Sequence, residues 1–386
     1  MTSRERLLAA MERRQPDRVP LMCQLSIGHY LVHCGVSAAD YWLHNETIID
    51  CFISLAERYG FDGILINLPG RPPHADDLVE RIEKTPEGEV IHWKRGGRCL
   101  CPPDDLPHEV ETPRLALEEI DPDQVFYEDP HTLGGLKYPF YYDLEPLSGS
   151  GDDFFPPYLT AIIDGIVARV GDCVSVHSEV FSPFTQLMER LGYEEGLMAL
   201  LTDPEKCHAL LARFAAGASA LATLQASRGV DAVLISSAFA GGGFISKAMY
   251  EGFVLPYERQ VVEAIHAAGV KAYTHTCGAI GDRLELMQAT GIDGIDTMDP
   301  PPLGDTDLAD AKRRVGDRLF LKGNLDSVNV LLRGSVEECR QSARDRLRAA
   351  KAGGGYILSS ACSVAPRVPP ENLLALREVV EAEGWY

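Results

Sequence analysis

Short apolar runs rich in β-branched residues recur along the chain, and amphipathic stretches with helical spacing separate them. Eight runs read as strands: Val19–Leu25, Phe61–Asn67, Cys173–Val180, Asp231–Ser237, Lys271–Cys277, Asp293–Met298, Leu319–Leu325 and Tyr356–Cys362. Among the intervening segments, Asn45–Tyr59 sets Ile48, Ile49, Phe52, Leu55 and Ala56 on one helical face. Pro204–Arg228 is rich in Ala and Leu and follows Asp203, a residue suited to cap a helix. Tyr250–Ala268, Arg283–Thr290, Asp307–Val315 and Val336–Ala352 read the same way, the last stopped by Gly353-Gly354-Gly355. Strands alternating with helices imply parallel pairing through right-handed crossovers. Eight such units predict an α/β fold, a (β/α)8 TIM barrel, with an open doubly wound sheet as the alternative. No Gly-x-Gly-x-x-Gly follows the first strand and no Gly-Lys-Ser/Thr occurs, so neither a dinucleotide nor a nucleoside triphosphate is suggested.

A long interruption separates the second and third strands. Val90–Lys94 and Arg98–Cys101, around Gly96-Gly97, read as a β-hairpin. The stretch from Asp104 to Asp153 is Pro-rich and holds fourteen acids against two bases, Arg114 and Lys137. It offers little apolar periodicity. The 386 residues therefore read as one decorated barrel, 1–386, with an insertion over about 70–157 between strands 2 and 3. No internal repeat is visible.

The net charge of −21 argues against nucleic acid and against anionic membranes, both of which need a basic face. More than half of that charge lies in the acidic insertion. No uninterrupted apolar run reaches membrane-spanning length, and Met1–Pro20 lacks the apolar core of an export signal. These features predict a cytoplasmic protein whose ten cysteines are free thiols.

The strongest chemical signal is His275-Thr276-Cys277-Gly278 at the end of a predicted strand. Alternation with period two puts His275 and Cys277 on one face, and imidazole and thiolate are preferred zinc ligands. Cys362, at the end of the last strand, falls at the same C-terminal mouth of a barrel, where active sites of this fold lie. A Cys2His set leaves one position open, as catalytic zinc sites do. The plainer reading is that these residues are core packing. His177 and Glu179 end the third strand as acid–base candidates or as a rim pair. Asp296 and Asp299 are candidate fourth ligands or helpers behind the metal. Asn324 and Asp326 are candidate substrate contacts. Gly241-Gly242-Gly243 reads as a loop at the mouth that touches a cofactor or gates the pocket. Cys99-x-Cys101 and the His29/His33 pair have metal-like spacing without further ligands nearby.

With these residues in hand, the chain resembles the uroporphyrinogen decarboxylase superfamily over nearly its whole length. The likeness rests on Arg14–Pro20, Phe61-Asp62-Gly63, Ser182-Pro183-Phe184, Thr202-Asp203-Pro204-Glu205 and Pro256-Tyr257. His275-x-Cys277-Gly278 and Cys362, followed by Val368-Pro369-Pro370-Glu371-Asn372, look like its branch of cobamide-dependent methyltransferases, such as methylcobalamin:coenzyme M methyltransferases. That resemblance implies a zinc ion on His275, Cys277 and Cys362. It also implies a cobamide (methylcobalamin or cob(I)alamin) as methyl carrier, a small-molecule methyl donor or acceptor, and homodimers, which are common in the superfamily. No Asp-x-His-x-x-Gly corrinoid motif is present, so the cobamide is expected on a corrinoid protein or from solution. Decarboxylases of the superfamily carry an Arg-Gln-Ala-Gly-Arg stretch after the first strand and a late Asn-Leu-Gly-His-Gly. Here those places read Met22-Cys23-Gln24-Leu25-Ser26-Ile27-Gly28 and Ser359-Ser360-Ala361-Cys362-Ser363. The expectation is a zinc-dependent methyltransferase acting on a small thiol, alcohol or methyl ether. A decarboxylase-like lyase and a non-catalytic barrel that binds a corrinoid protein are the alternatives.

Overall fold

A computed structural model describes residues 1–94, 96–107, 116–127 and 154–386. Its strands are β1 (Gly63–Ile66), β2 (Val79–Thr85), β3 (Gly88–Trp93), β4 (Arg98–Cys101), β5 (Ser175–Phe181), β6 (Ala232–Ser236), β7 (Lys271–Thr276), β8 (Gly294–Thr297), β9 (Phe320–Leu325) and β10 (Tyr356–Ser360). Seven of them form one curled parallel sheet in the order β1-β5-β6-β7-β8-β9-β10, with helices between successive strands. The architecture is the predicted TIM-barrel type.

The first predicted strand, Val19–Leu25, is not regular. Leu21 and Leu25 make only isolated bridges to Leu358 and Val364. Its backbone still spans the gap between the sheet's two ends. Met22 N–H donates to Leu358 O at 3.0 Å, and Asp62 N–H donates to Leu21 O at 2.7 Å. The ladder is interrupted because Pro20 has no N–H and because Leu21 N–H donates to the Asp62 carboxylate at 2.8 Å.

Asp62 is fully buried and also takes Arg6 Nη1 at 2.6 Å and Arg18 Nη1 at 3.0 Å. These bonds fasten helix Ser3–Met11 across the N-terminal end of the barrel. That helix starts with a Thr2/Glu5 capping box. Its Leu7 and Met11 pack on the inward side chains Met22, Leu65, Phe320 and Ile357.

Helix Asn45–Tyr59 has the predicted bounds. The long helix ends at Ala226, with Asp203 Oδ1 accepting from Lys206 N–H at 3.0 Å. Pro204–Ala226 alone among the described helices is long and apolar enough to cross a membrane, and half of its apolar window is buried inside the protein. The single helix predicted over Tyr250–Ala268 is two, Lys247–Phe253 and Leu255–Ala267. Pro256 accounts for the break, since its ring and missing N–H fit a first helical turn and not a helix interior.

In the insertion, the predicted hairpin is β3–β4, with Ile91 opposite Cys99 and Val90 opposite Leu100. A further strand, β2, pairs antiparallel with β3. Ala39 N–H donates to Glu89 Oε2 at 2.8 Å, and Arg367 Nε donates to Asp104 Oδ2 at 3.1 Å, tying this small sheet to the barrel. The chain returns through Tyr127, whose hydroxyl accepts from Phe181 N–H at 3.3 Å at the C-terminal end of β5. Residues 108–115 and 128–153 of the acidic stretch lie outside the described residues.

A candidate metal centre at the barrel mouth

Inward positions alternate along each strand, so β7 sends Tyr273 and His275 to the interior while Ala272 packs against the helices. Cys277 follows at the next inward position, and Gly278 turns the chain away with φ +77°. Cys362 lies two residues past β10. The His275 Nε2 atom is 3.4 Å from Cys277 Sγ and 3.9 Å from Cys362 Sγ, and the two sulfurs are 3.8 Å apart. One ligand atom from each of the three lies within 4.8 Å of the others, the only such cluster among the described residues. His275 is buried and both cysteines are half-buried. A nitrogen and two sulfurs converging in this way fit a zinc ion.

Metal binding to this donor set would displace protons. Burial pushes the His275 imidazole down, but Asp296 and Cys362 outweigh it and hold its pKa at about 10. The Cys277 thiol and the His275 ring favour a thiolate on Cys362 against the cost of burial.

Behind the histidine, Asp296 Oδ2 stands 3.5 Å from His275 Nδ1. Lys322 Nζ donates to both Asp296 oxygens at 2.9 Å. Asp299 Oδ2 accepts from Gly278 N–H at 2.7 Å, which holds the turn after Cys277. Burial raises the Asp299 pKa to about 6, partly offset by that amide. The chain reaches Asp299 through Thr297 (φ 82°) and Met298 (φ 54°), a left-handed path that a β-branched residue seldom takes. Asn324 Nδ2 donates to Met298 O at 2.8 Å and so braces this turn. Asp326 Oδ1 accepts from Val328 and Asn329 N–H at 2.9 and 2.7 Å, the plain capping arrangement.

Glu179 faces inward from β5 and borders a cavity of about 40 Å³ with Asn67, Tyr127, Phe181 and Gln225. Burial raises its pKa to about 7, with His275 and Ser236 pulling the other way. His177, expected at the mouth, is instead enclosed lower in the barrel. Its Nδ1 is 2.9 Å from Tyr273 Oη and its Nε2 is 3.1 Å from Ser175 Oγ. An inward-facing position near a strand's start lies too deep to reach the mouth.

Gly241 and Gly242 pack on the metal loop: Gly242 N–H donates to Ala279 O at 2.6 Å. Arg283 Nη1 donates to Ala240 O at 2.8 Å and Nη2 to Ile245 O at 3.1 Å, gripping both ends of the glycine run. Gly243 has nothing within 4 Å of a built Cβ. His29 and His33 do not pair around an ion. His29 Nε2 lies 2.9 Å from Tyr59 Oη, and His33 Nε2 lies 3.2 Å from Pro366 O. Cys99 and Cys101 are buried in the hairpin.

The family model described as uroporphyrinogen decarboxylase (URO-D) matches residues 143–383, a span that holds His275, Cys277 and Cys362. The chain belongs to the uroporphyrinogen decarboxylase family. A uroporphyrinogen decarboxylase of Nitrosococcus oceani is 31% identical and aligns over 97% of this chain and 95% of its own length. One from Legionella pneumophila (strain Lens) is 32% identical over 48% of the chain, and the match spans 50% of that relative. Among solved structures, a methyltransferase from Methanosarcina mazei superposes with a TM-score of 0.72 at 18% identity, covering 99% of this chain and 98% of that one. That likeness is one of fold.

One residue behind the centre, Lys322, is not among the site residues expected from sequence. Its signal was present in Phe320-Leu321-Lys322-Gly323-Asn324, where a cation interrupts an otherwise apolar, inward-facing strand position.

Proposed function

We propose that this member of the uroporphyrinogen decarboxylase family is a zinc-dependent methyltransferase. It moves a methyl group between a corrinoid and a small thiol, alcohol or methyl ether. The observation that carries the reading is the convergence of His275, Cys277 and Cys362 at the mouth, open on the solvent side. Zinc in a Cys2His set lowers the pKa of a coordinated thiol and polarises an alcohol or ether oxygen.

The chain's own residues supply the rest. His275 offers Nε2 toward the two sulfurs. Gly278 and Asp299 fix the loop that carries Cys277. Glu179 titrates near neutrality and can hold or release a proton at its carboxylate. The corrinoid is delivered by a partner protein, which meets the face that bears the acidic insertion.

The test is cobalt spectroscopy. Cob(I)alamin is mixed with methanol, methylated aromatic ethers and methyl thioethers, and methylcobalamin with thiols and tetrahydrofolate. A change in the cobalt spectrum with one donor or acceptor supports the reading; none across the panel, with metal-replete protein, rejects it.

The decarboxylase reading has the full-length Nitrosococcus relative in its favour. Against it, the arginines expected after the first strand are absent. Two buried arginines on the mouth side are engaged by backbone carbonyls: Arg71 by Trp42 and Pro69, Arg283 by Ala240 and Ile245. Turnover of uroporphyrinogen by a Cys277→Ser, Cys362→Ser protein would favour the lyase.

A further inference from the structure

We infer that Lys322 is a positioning residue for the metal centre. By holding both oxygens of Asp296, it fixes that carboxylate on the Nδ1 side of His275, behind the ring. The inference rests on the metal-centre reading above.

The three residues form one row across neighbouring strands, with His275 registered to Asp296 and Asp296 to Lys322. All three are buried, Lys322 to 1% exposure and Asp296 to 2%. Barrel interiors are normally filled by branched apolar side chains. A buried ion pair seldom adds stability over an apolar pair of similar size, so filling the core does not account for a lysine here.

The geometry gives it another task. For Nε2 to offer its lone pair to a metal, the imidazole proton must sit on Nδ1, and an acceptor there fixes that tautomer. Asp296 Oδ2, 3.5 Å away, is the carboxylate on that side. Carboxylates are themselves zinc ligands. Asp296 is committed elsewhere: Lys322 donates to both oxygens at 2.9 Å, and Thr297 N–H donates to Oδ1 at 2.8 Å. Asp296 and Lys322 together are formally neutral. Asp296 lies outside the cluster of His275, Cys277 and Cys362, so it would serve the ring and not the ion.

The experiment measures zinc affinity by competition with a chromophoric chelator, on the full chain. Lys322→Gln is expected to weaken zinc binding about 10- to 100-fold, the usual range for partners of ligating histidines. Lys322→Arg should restore most of it. In an Asp296→Asn background, Lys322→Gln should cost nothing further. Cobalt-substituted Lys322→Gln should also show altered ligand-field bands, a change that lost packing elsewhere would not produce. Wild-type affinity in Lys322→Gln, or an equal loss in both backgrounds, overturns the proposal. If Lys322→Gln alone melts early, Lys322→Arg and the formally neutral double variant Asp296→Asn/Lys322→Gln decide: zinc affinity kept in the first and lost in the second supports the proposal, and wild-type affinity in the double variant overturns it. A wild-type chain that binds no zinc sinks the metal reading itself, which is a different result.

Discussion

Gly241 lies so close to Cys277 that a β-carbon on it would meet the Cys277 carbonyl oxygen at 2.4 Å. The obstacle is backbone and cannot swing aside. Gly241→Ala is therefore expected to displace the ligand loop and weaken zinc binding at least tenfold, whereas Gly243→Ala, with open space around it, leaves affinity unchanged. Chelator competition on the two variants checks this. Equal effects would mean that the glycine run does not brace the centre.

Removing a sulfur should remove the ion. Cys277→Ser and Cys362→Ser are each expected to fall from one-to-one zinc to a small fraction of it, because two ligands hold zinc far less tightly than three. Elemental analysis after dialysis gives the answer. Cys101→Ser, in the hairpin, should keep its zinc.

His177 supplies a pH prediction. Burial lowers its pKa to about 4 from the 6.5 of an exposed imidazole. As pH falls, the unfolded chain takes up this proton first. The contribution to stability is complete above pH 6.5 and is lost as pH falls toward 4. The full span is about 3 kcal/mol. Urea titrations at pH 7 and pH 4 should show the wild type losing more stability than His177→Gln by roughly this amount. Parallel losses would show that His177 is not the group responsible.

Asp62→Asn should be among the most damaging single changes in the chain. It leaves Arg6 and Arg18 at the barrel's base without the carboxylate they share, and it disturbs Leu21 N–H. Breaking a buried pair from one side typically costs about 3–5 kcal/mol. Thermal melting of the variant measures it.

What could be read in advance follows from how side chains are sampled by periodicity. The buried parallel strands from Cys173 onward were legible because each carries apolar side chains toward the helices, such as Val176, Val233, Ile235, Ile295, Leu321 and Leu358. His275, Cys277 and Cys362 were legible because chemistry-bearing residues stand out at strand ends. Strand β2 was not: Val79–Thr85 is charged and almost entirely exposed, so no apolar pattern marks it. Val19–Leu25 has a strand's composition, but the Asp62 carboxylate, distant in sequence, takes one of its amides. His177 shares a strand and a facing with Glu179, and only depth along the barrel separates a structural imidazole from a carboxylate near the site. Depth depends on strand tilt and register, which sequence spacing within one strand does not contain.

Helix Ser3–Met11 stoppers the far end of the barrel, with Leu7 and Met11 seated among Met22, Leu65, Phe320 and Ile357. Among the described residues, that end of the barrel interior is closed by packed side chains, which leaves the mouth as the side for approach. On the function proposed above, a methyl donor, a methyl acceptor and any carrier would all meet the protein at the same rim. Tyr127, which accepts from Phe181 N–H at the end of β5, stands at that rim, so competition between two such partners is the kinetic signature of this shape.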